Sequence, residues 1–152
     1  REAQERAFRE QLVLAAELGL PVVLHVRKAY PDVIRILEEA NPPRALFHLF
    51  SGNKSQALWA LERGYFISSG PPSKTIKSLV RQRGLSQIVV ETDSPYVLPE
   101  PGSVRLVVER LAKYTGLALE EVAERTFENA RKFFSGPAKG SSLRRRGRGR
   151  SA

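Results

Sequence analysis

The chain has no cysteine and no methionine, a single tryptophan, and only two histidines and two aspartates among its 152 residues. Without cysteine there are no disulfides and no thiolate metal sites, and a reducing compartment is expected: the cytoplasm or, in a eukaryote, the nucleus. Without methionine, even at position 1, the chain reads as a fragment, a processed product or an incomplete gene model. No apolar run approaches the ~20 residues of a membrane helix, so no membrane partner is expected. The charged start Arg1-Glu2-Ala3-Gln4 is not a secretory signal. The 11 glycines and 10 prolines follow no period, which excludes collagen-like and low-complexity classes. There is no P-loop, no dinucleotide fingerprint and no G-x-S-x-G elbow.

What remains is a globular composition, 41% hydrophobic and 27% charged, long enough for one packed domain. The net charge of +9 is unevenly placed. Residues 137–152 hold Lys139, Arg144, Arg145, Arg146, Arg148 and Arg150 with no acid, so +6 sits in a Gly/Ser/Arg tail and +3 on residues 1–136. Such a tail buries nothing. It reads as a disordered solvated end or as an arm that binds phosphate non-specifically by counterion release.

Two periods alternate along residues 1–136. Ala7, Phe8, Leu12, Ala15 and Leu18 fall on one helical face, and Gly19 sits where that helix should stop. Pro21 to Val26 is continuously apolar up to His25, the pattern of a parallel strand buried on both faces. Further strands are expected at 45–50, 65–69 and 87–93, each followed by a helical stretch; Pro31 opens the helix after the first strand. Two helices close the domain, one with Val104, Val107, Val108 and Leu111 inward, the other with Val122, Phe127, Ala130, Phe133 and Phe134. Strands alternating with helices imply right-handed crossovers and a parallel sheet. Both an open doubly wound sheet and half of a (β/α)8 barrel fit this order.

The two histidines, His25 and His48, each interrupt an apolar strand near its C-terminal end, and Asp93 ends the fourth strand in the same way. That rim is where parallel α/β folds place their sites, and these side chains suit divalent ions. A structural histidine is the alternative for each. Arg27, two residues after His25, shares its side and could meet an anionic substrate; the alternative is a salt bridge. Glu91 reads as a base or, preferably, as a packing partner for Arg27 or Lys28. Ser51-Gly52 is a weak candidate for a phosphate cradle.

The segments Leu20 to Arg27, Phe47-His48-Leu49-Phe50-Ser51-Gly52, Gly64 to Ile67, Glu91-Thr92-Asp93-Ser94-Pro95-Tyr96 and Asn129-Ala130 resemble the TatD family. The likeness runs over about residues 4–135. It implies the C-terminal half of a TIM barrel over residues 1–136: four parallel strands alternating with helices, followed by a disordered basic tail at 137–152. It implies metal-dependent hydrolysis of phosphodiester bonds, of deoxyribonuclease or exonuclease type, on DNA or another phosphodiester. By the same resemblance His25, His48 and Asp93 are ligands of a divalent metal (zinc, magnesium or manganese). Beside that ligand set, Asp93 is a candidate general base that orients the attacking water, and Arg27 is a second candidate for phosphate contact. The family's His-x-His pair, a later glutamate ligand and its Arg-Asn-Glu-Pro stretch have no counterpart in the chain. Pro99 to Val104 passes straight into a helix instead. The chain alone is therefore expected to lack a two-metal clamp, and its open sheet edges are expected to drive self-association. The competing reading is a non-catalytic half-barrel whose tail binds nucleic acid.

Overall fold

The structure, a computed structural model, describes residues 1–135; the expectation of a disordered tail lies outside them. Helix α1 (Glu2–Leu18) ends at Gly19, whose left-handed φ of 66° lets Leu20 N–H turn back to the Ala15 carbonyl at 2.8 Å. Strand β1 (Val22–His25) leads to α2 (Tyr30–Ala40), with Pro31 in its first turn. Strand β2 (Ala45–His48) and α3 (Lys54–Glu62) follow. Asn53 caps α3 through a reciprocal capping box with Gln56. Strand β3 (Phe66–Ser69) leads to α4 (Lys74–Arg83), capped by the Ser73 hydroxyl. After β4 (Ile88–Val90), a 3-10 turn at Pro101–Ser103 runs directly into α5 (Val104–Thr115), then α6 (Leu119–Ser135). Among the described residues no helix is long and apolar enough to cross a membrane.

The four strands form one parallel sheet in the order β1-β2-β3-β4. This is the α/β half-barrel arrangement expected. Leu24, Phe47, Ile67 and Ile88 lie side by side in register on the outer face and pack beneath the helices with Leu37, Leu61, Ile76, Leu79 and Leu111. Burying each such side chain contributes about 1.5–3 kcal/mol. The inner face carries the alternate residues. Its lower part, Leu46, Phe66 and Val89, is covered by Ala130 and Phe133 of α6. Its upper part holds His25, His48 and Ser68.

Two polar side chains fasten this plan. Asn129 Nδ2 donates to the Leu85 and Ile88 carbonyls at 2.7 and 2.9 Å, docking α6 on β4. The Arg44 guanidinium donates to the Phe133 carbonyl at 2.8 Å and the Gly19 carbonyl at 2.9 Å, so one side chain satisfies the ends of both α6 and α1.

Several expectations need correction. The strands are shorter than the apolar runs, because Leu49 (φ 41°), Gln87 (φ 61°) and Asp93 (φ 49°) adopt left-handed backbone that breaks the ladder. Strand β1 is not buried on both faces. Val23 is 54% exposed, because β1 is an edge strand and α6 covers only the inner residues of its neighbours. Ala7 and Leu18 of α1 are exposed as well, since that helix packs chiefly on α2. On α6, Phe127 and Phe134 are 62% and 60% exposed. The buried stripe is Val122, Thr126, Asn129 and Phe133, whose spacing keeps one helical face against the sheet.

Candidate metal centre

His48 is the last residue of β2. Its neighbour Phe47 points into the outer core, so by strand alternation the His48 ring emerges at the inner rim. Its register partner on β1 is His25, and the two ring centroids are 5.6 Å apart. Both lie at the C-terminal end of the sheet, as the strand positions imply.

Glu91 and Asp93 follow the end of β4. The Glu91 amide is still bonded to the Ser69 carbonyl at 3.0 Å, which holds the segment against β3. Glu91 Oε2 lies 2.6 Å from His48 Nδ1. Its other oxygen accepts from the Leu49 amide at 2.9 Å and from the Ser68 hydroxyl. Leu49 can present that amide because its backbone turns left-handed there. The carboxylate is thus saturated by three donors: His48 of β2, Leu49 just beyond it and Ser68 of β3.

That arrangement determines the histidine. With Nδ1–H donated to Glu91, the lone pair of Nε2 points away from the carboxylate. On that side Asp93 Oδ1 stands 3.6 Å from Nε2, too far for a good hydrogen bond. Two ligand atoms each ~2.1 Å from one ion at a tetrahedral angle are separated by about 3.4 Å. The spacing therefore fits a shared cation better than a direct bond. Ligand-type atoms of His48, Glu91 and Asp93 all lie within 4.8 Å of one another. The left-handed turn at Asp93 is braced by its carbonyl, which accepts from Tyr96 N–H at 2.8 Å and Val97 N–H at 3.1 Å.

The structure thus brings together His48 and Asp93 with a third group, Glu91, and sets His25 beside them on the adjacent strand. Glu91 is not a partner of Arg27 or Lys28, as the sequence suggested; it holds His48. Residue parity carries the missed signal: Glu91 is two beyond Val89, the inner-face register partner of Ser68, which in turn lies on the face of His48. Arg27 is exposed and lines, with His25 and Lys28, a groove of about 1090 Å³ between α1, β1 and α2. No ion pair to it occurs among the described residues. Ser51-Gly52 does not form an open anion cradle. The Ser51 amide donates to the Tyr30 hydroxyl at 3.0 Å, and a Cβ on Gly52 would fall 2.6 Å from Phe50.

Residues 1–135 match the family model TatD related DNase. The chain belongs to this family. It is 36% identical to human Deoxyribonuclease TATDN3 over 88% of this chain and 52% of that protein. It is 32% identical to the uncharacterized metal-dependent hydrolase YabD of Bacillus subtilis, over 88% of this chain and 58% of that one. The crystal structure of YJJV, a TatD homolog from Escherichia coli, superposes with a TM-score of 0.78 at 28% identity, covering 90% of this chain and 58% of that chain. The chain thus spans about half the length of the curated relatives it matches. Membership in a family of metal-dependent, nuclease-type hydrolases agrees with the ligand-type cluster at the rim.

Proposed function

We propose that this chain forms the C-terminal part of a divalent-metal phosphodiesterase acting on DNA ends or a related nucleic acid. One observation carries the reading: His48 is locked by Glu91 through Nδ1, so its Nε2 faces Asp93 across a gap sized for an ion. His48 and Asp93 would hold that ion, with His25 joining from β1. Glu91 orients the imidazole, the role a carboxylate commonly plays behind a metal-binding histidine. Zinc suits a mixed nitrogen and oxygen set best, manganese tolerates it, and magnesium prefers oxygen ligands alone. When bound, such an ion neutralises charge on a phosphate and acidifies water. Asp93 would take the proton of the attacking water. Arg27, without an ion pair among the described residues and on the rim beside His25, meets a phosphate oxygen.

Isothermal titration with Mn²⁺ or Zn²⁺ tests this. The wild-type chain should bind one ion, and His48→Ala and Asp93→Asn should each abolish the heat while leaving the far-ultraviolet spectrum unchanged. Undiminished binding in both variants overturns the assignment. Because the cluster holds one ion, DNA turnover by this chain alone should be weak with any of the three metals. Robust turnover abolished by His48→Ala would contradict that part.

We also infer self-association. The outer edge of β1 has no strand partner among the described residues, and Val23 lies exposed on the inner face beside it. Leu14, Leu18 and Leu20 extend the apolar groove toward α1. Unpaired edges of this kind template pairing with another chain. Sedimentation at micromolar concentration should show dimers or larger species; a compact monomer would rule this out.

A further inference from the structure

Ion pairs occupy much of the outer helices, and on α4 they reach, among the described residues, only Arg83, which meets Glu62 at 3.9 Å. On α1 and α2, Arg1, Arg9 and Arg35 pair with Asp32, Glu5 and Glu39. Arg63 pairs with Glu38, Arg105 with Glu109, Arg125 with Glu121 and Arg131 with Glu128. Helix α4, Lys-Thr-Ile-Lys-Ser-Leu-Val-Arg-Gln-Arg, contains no acid at all. Its apolar stripe, Ile76, Leu79 and Val80, faces the core. Lys74, Lys77 and Arg81 follow one another at i, i+3 and i+7, which puts them on a common face. None of the three has an ion pair among the described residues.

Two features accompany the charge on this face. Lys74, Lys77, Ser78, Arg81 and Gln82 line a shallow concavity of about 240 Å³. Beside it, the Tyr114 ring of α5 sits under two of the charges, with Lys77 Nζ at 5.1 Å and the Arg81 guanidinium carbon at 6.0 Å from its centroid. The ring holds both long side chains without neutralising them.

The position of the face matters as much as its charge. Helix α4 begins just after the loop that leaves β3, the strand whose Ser68 donates to Glu91. Lys74 is therefore at the same end of the fold as the metal centre. Lys77 and Arg81 lead away from it down the outside, with Lys74 and Arg81 separated by about 10 Å along the helix axis.

We propose that the outer face of α4 is a phosphate-binding track for a single strand of nucleic acid whose end lies at the metal centre. Lys74, Lys77 and Arg81 contact successive backbone phosphates, and no base is read. The proposal rests on the nucleic-acid reading above and adds a place where the strand beyond the scissile bond is held.

The test uses the full chain and a fluorescein-labelled, about 20-nucleotide oligothymidylate, with binding followed by anisotropy across a salt series. The double variant Lys77→Gln/Arg81→Gln should lower the slope of log K against log salt by about 1.4, since each phosphate contact on a single strand contributes about 0.7. The control Arg125→Gln/Arg131→Gln removes the same charge from α6 and should leave the slope unchanged. Metal binding by the α4 variant, measured by titration with Mn²⁺, should equal that of wild type. Equal slopes for the α4 variant and wild type, or equal losses in the α4 variant and the control, overturn the track while leaving the metal centre intact. Failure of the wild-type chain to bind the oligonucleotide at all overturns the track and the nucleic-acid reading together.

Discussion

The two faces of the sheet are built from the same four strands, residue by residue in alternation, yet they are different materials. The outer face is built on an apolar row: Leu24, Phe47, Ile67 and Ile88 lie side by side, and all four are buried beneath helices. The inner face changes character along its length. At the bottom, Leu46, Phe66 and Val89 pack on Phe133. Further up the same face, His48, Ser68 and Glu91 are joined by hydrogen bonds, with Asp93 and His25 alongside. The outer row supplies cohesion without chemistry. The upper inner face supplies chemistry and is excused from packing, because its polar groups satisfy one another.

Phe47→Ala puts this contrast to its hardest test. The side chain is 1% exposed and touches the rings of Tyr30, Phe50 and Trp59. Truncation should cost about 3–5 kcal/mol, read as a large drop in the denaturant midpoint with an unchanged m-value. A loss below about 1 kcal/mol, far under the usual cost of an aromatic truncation, would mean that the outer face does not carry the fold.

Glu91→Gln probes the opposite face. The amide keeps the volume but exchanges a carboxylate that accepts from three donors for a group with one acceptor oxygen. Stability should fall modestly, whereas metal affinity should fall about 10–100-fold, the usual cost of removing the group that orients a ligating histidine. Competition titration against a zinc chelator measures it. If affinity and stability fall in step, Glu91 is a structural residue and the two faces differ less than their chemistry suggests.

These two residues also show what is legible in the sequence. The strands are visible because their outer and inner residues are both apolar over several positions, and His25, His48 and Asp93 stand out because histidine and aspartate are so scarce. Glu91 is visible as a residue but not in its role. Its partners come from the end of β2 and from β3, 42 and 23 positions earlier for Leu49, just past β2, and Ser68, and only strand order and register bring them together. Helix α6 is misread for a related reason. Apolarity selects Phe127 and Phe134, whereas Asn129 is buried because it satisfies carbonyls 41 and 44 positions away. Periodicity registers hydrophobicity, not a distant acceptor.

A smaller effect separates packing from polar satisfaction within the outer core itself. Tyr65 is 1% exposed, and its hydroxyl has no hydrogen-bond partner among the described residues. Burial pushes its phenol pKa above the ordinary value, with Arg63 pulling weakly the other way. Tyr65→Phe removes the stranded oxygen and keeps the ring against Trp59. Stability should rise by about 1 kcal/mol, seen as a higher melting temperature. A decrease would show that the hydroxyl has a partner such as an ordered water.

The smallest effect lies away from both faces, where α1 meets α2. Hydrogen bonds from Arg35 and Arg9 hold the Glu5 carboxyl below its ordinary pKa, and one from Arg9 does the same for Glu39. A carboxylate depressed in the folded state stabilises the protein above its unfolded pKa, about 4.3 for glutamate. That contribution is lost as pH falls through the lower folded value. The melting temperatures of wild type and Glu5→Gln/Glu39→Gln should therefore differ at pH 7 and converge as the pH is lowered below about 4. Added salt should shrink the difference at pH 7, because these groups lie at the surface and are screened. The charges on α1 and α2 are thus mutually satisfied, whereas Lys74, Lys77 and Arg81 of α4 make no ion pair among the described residues. The corresponding glutamine variants on α4 should leave the pH dependence of melting unaltered. A matching acid-side loss in those variants would mean that α4 is neutralised by carboxylates in solution, and the contrast between the two surfaces would fail.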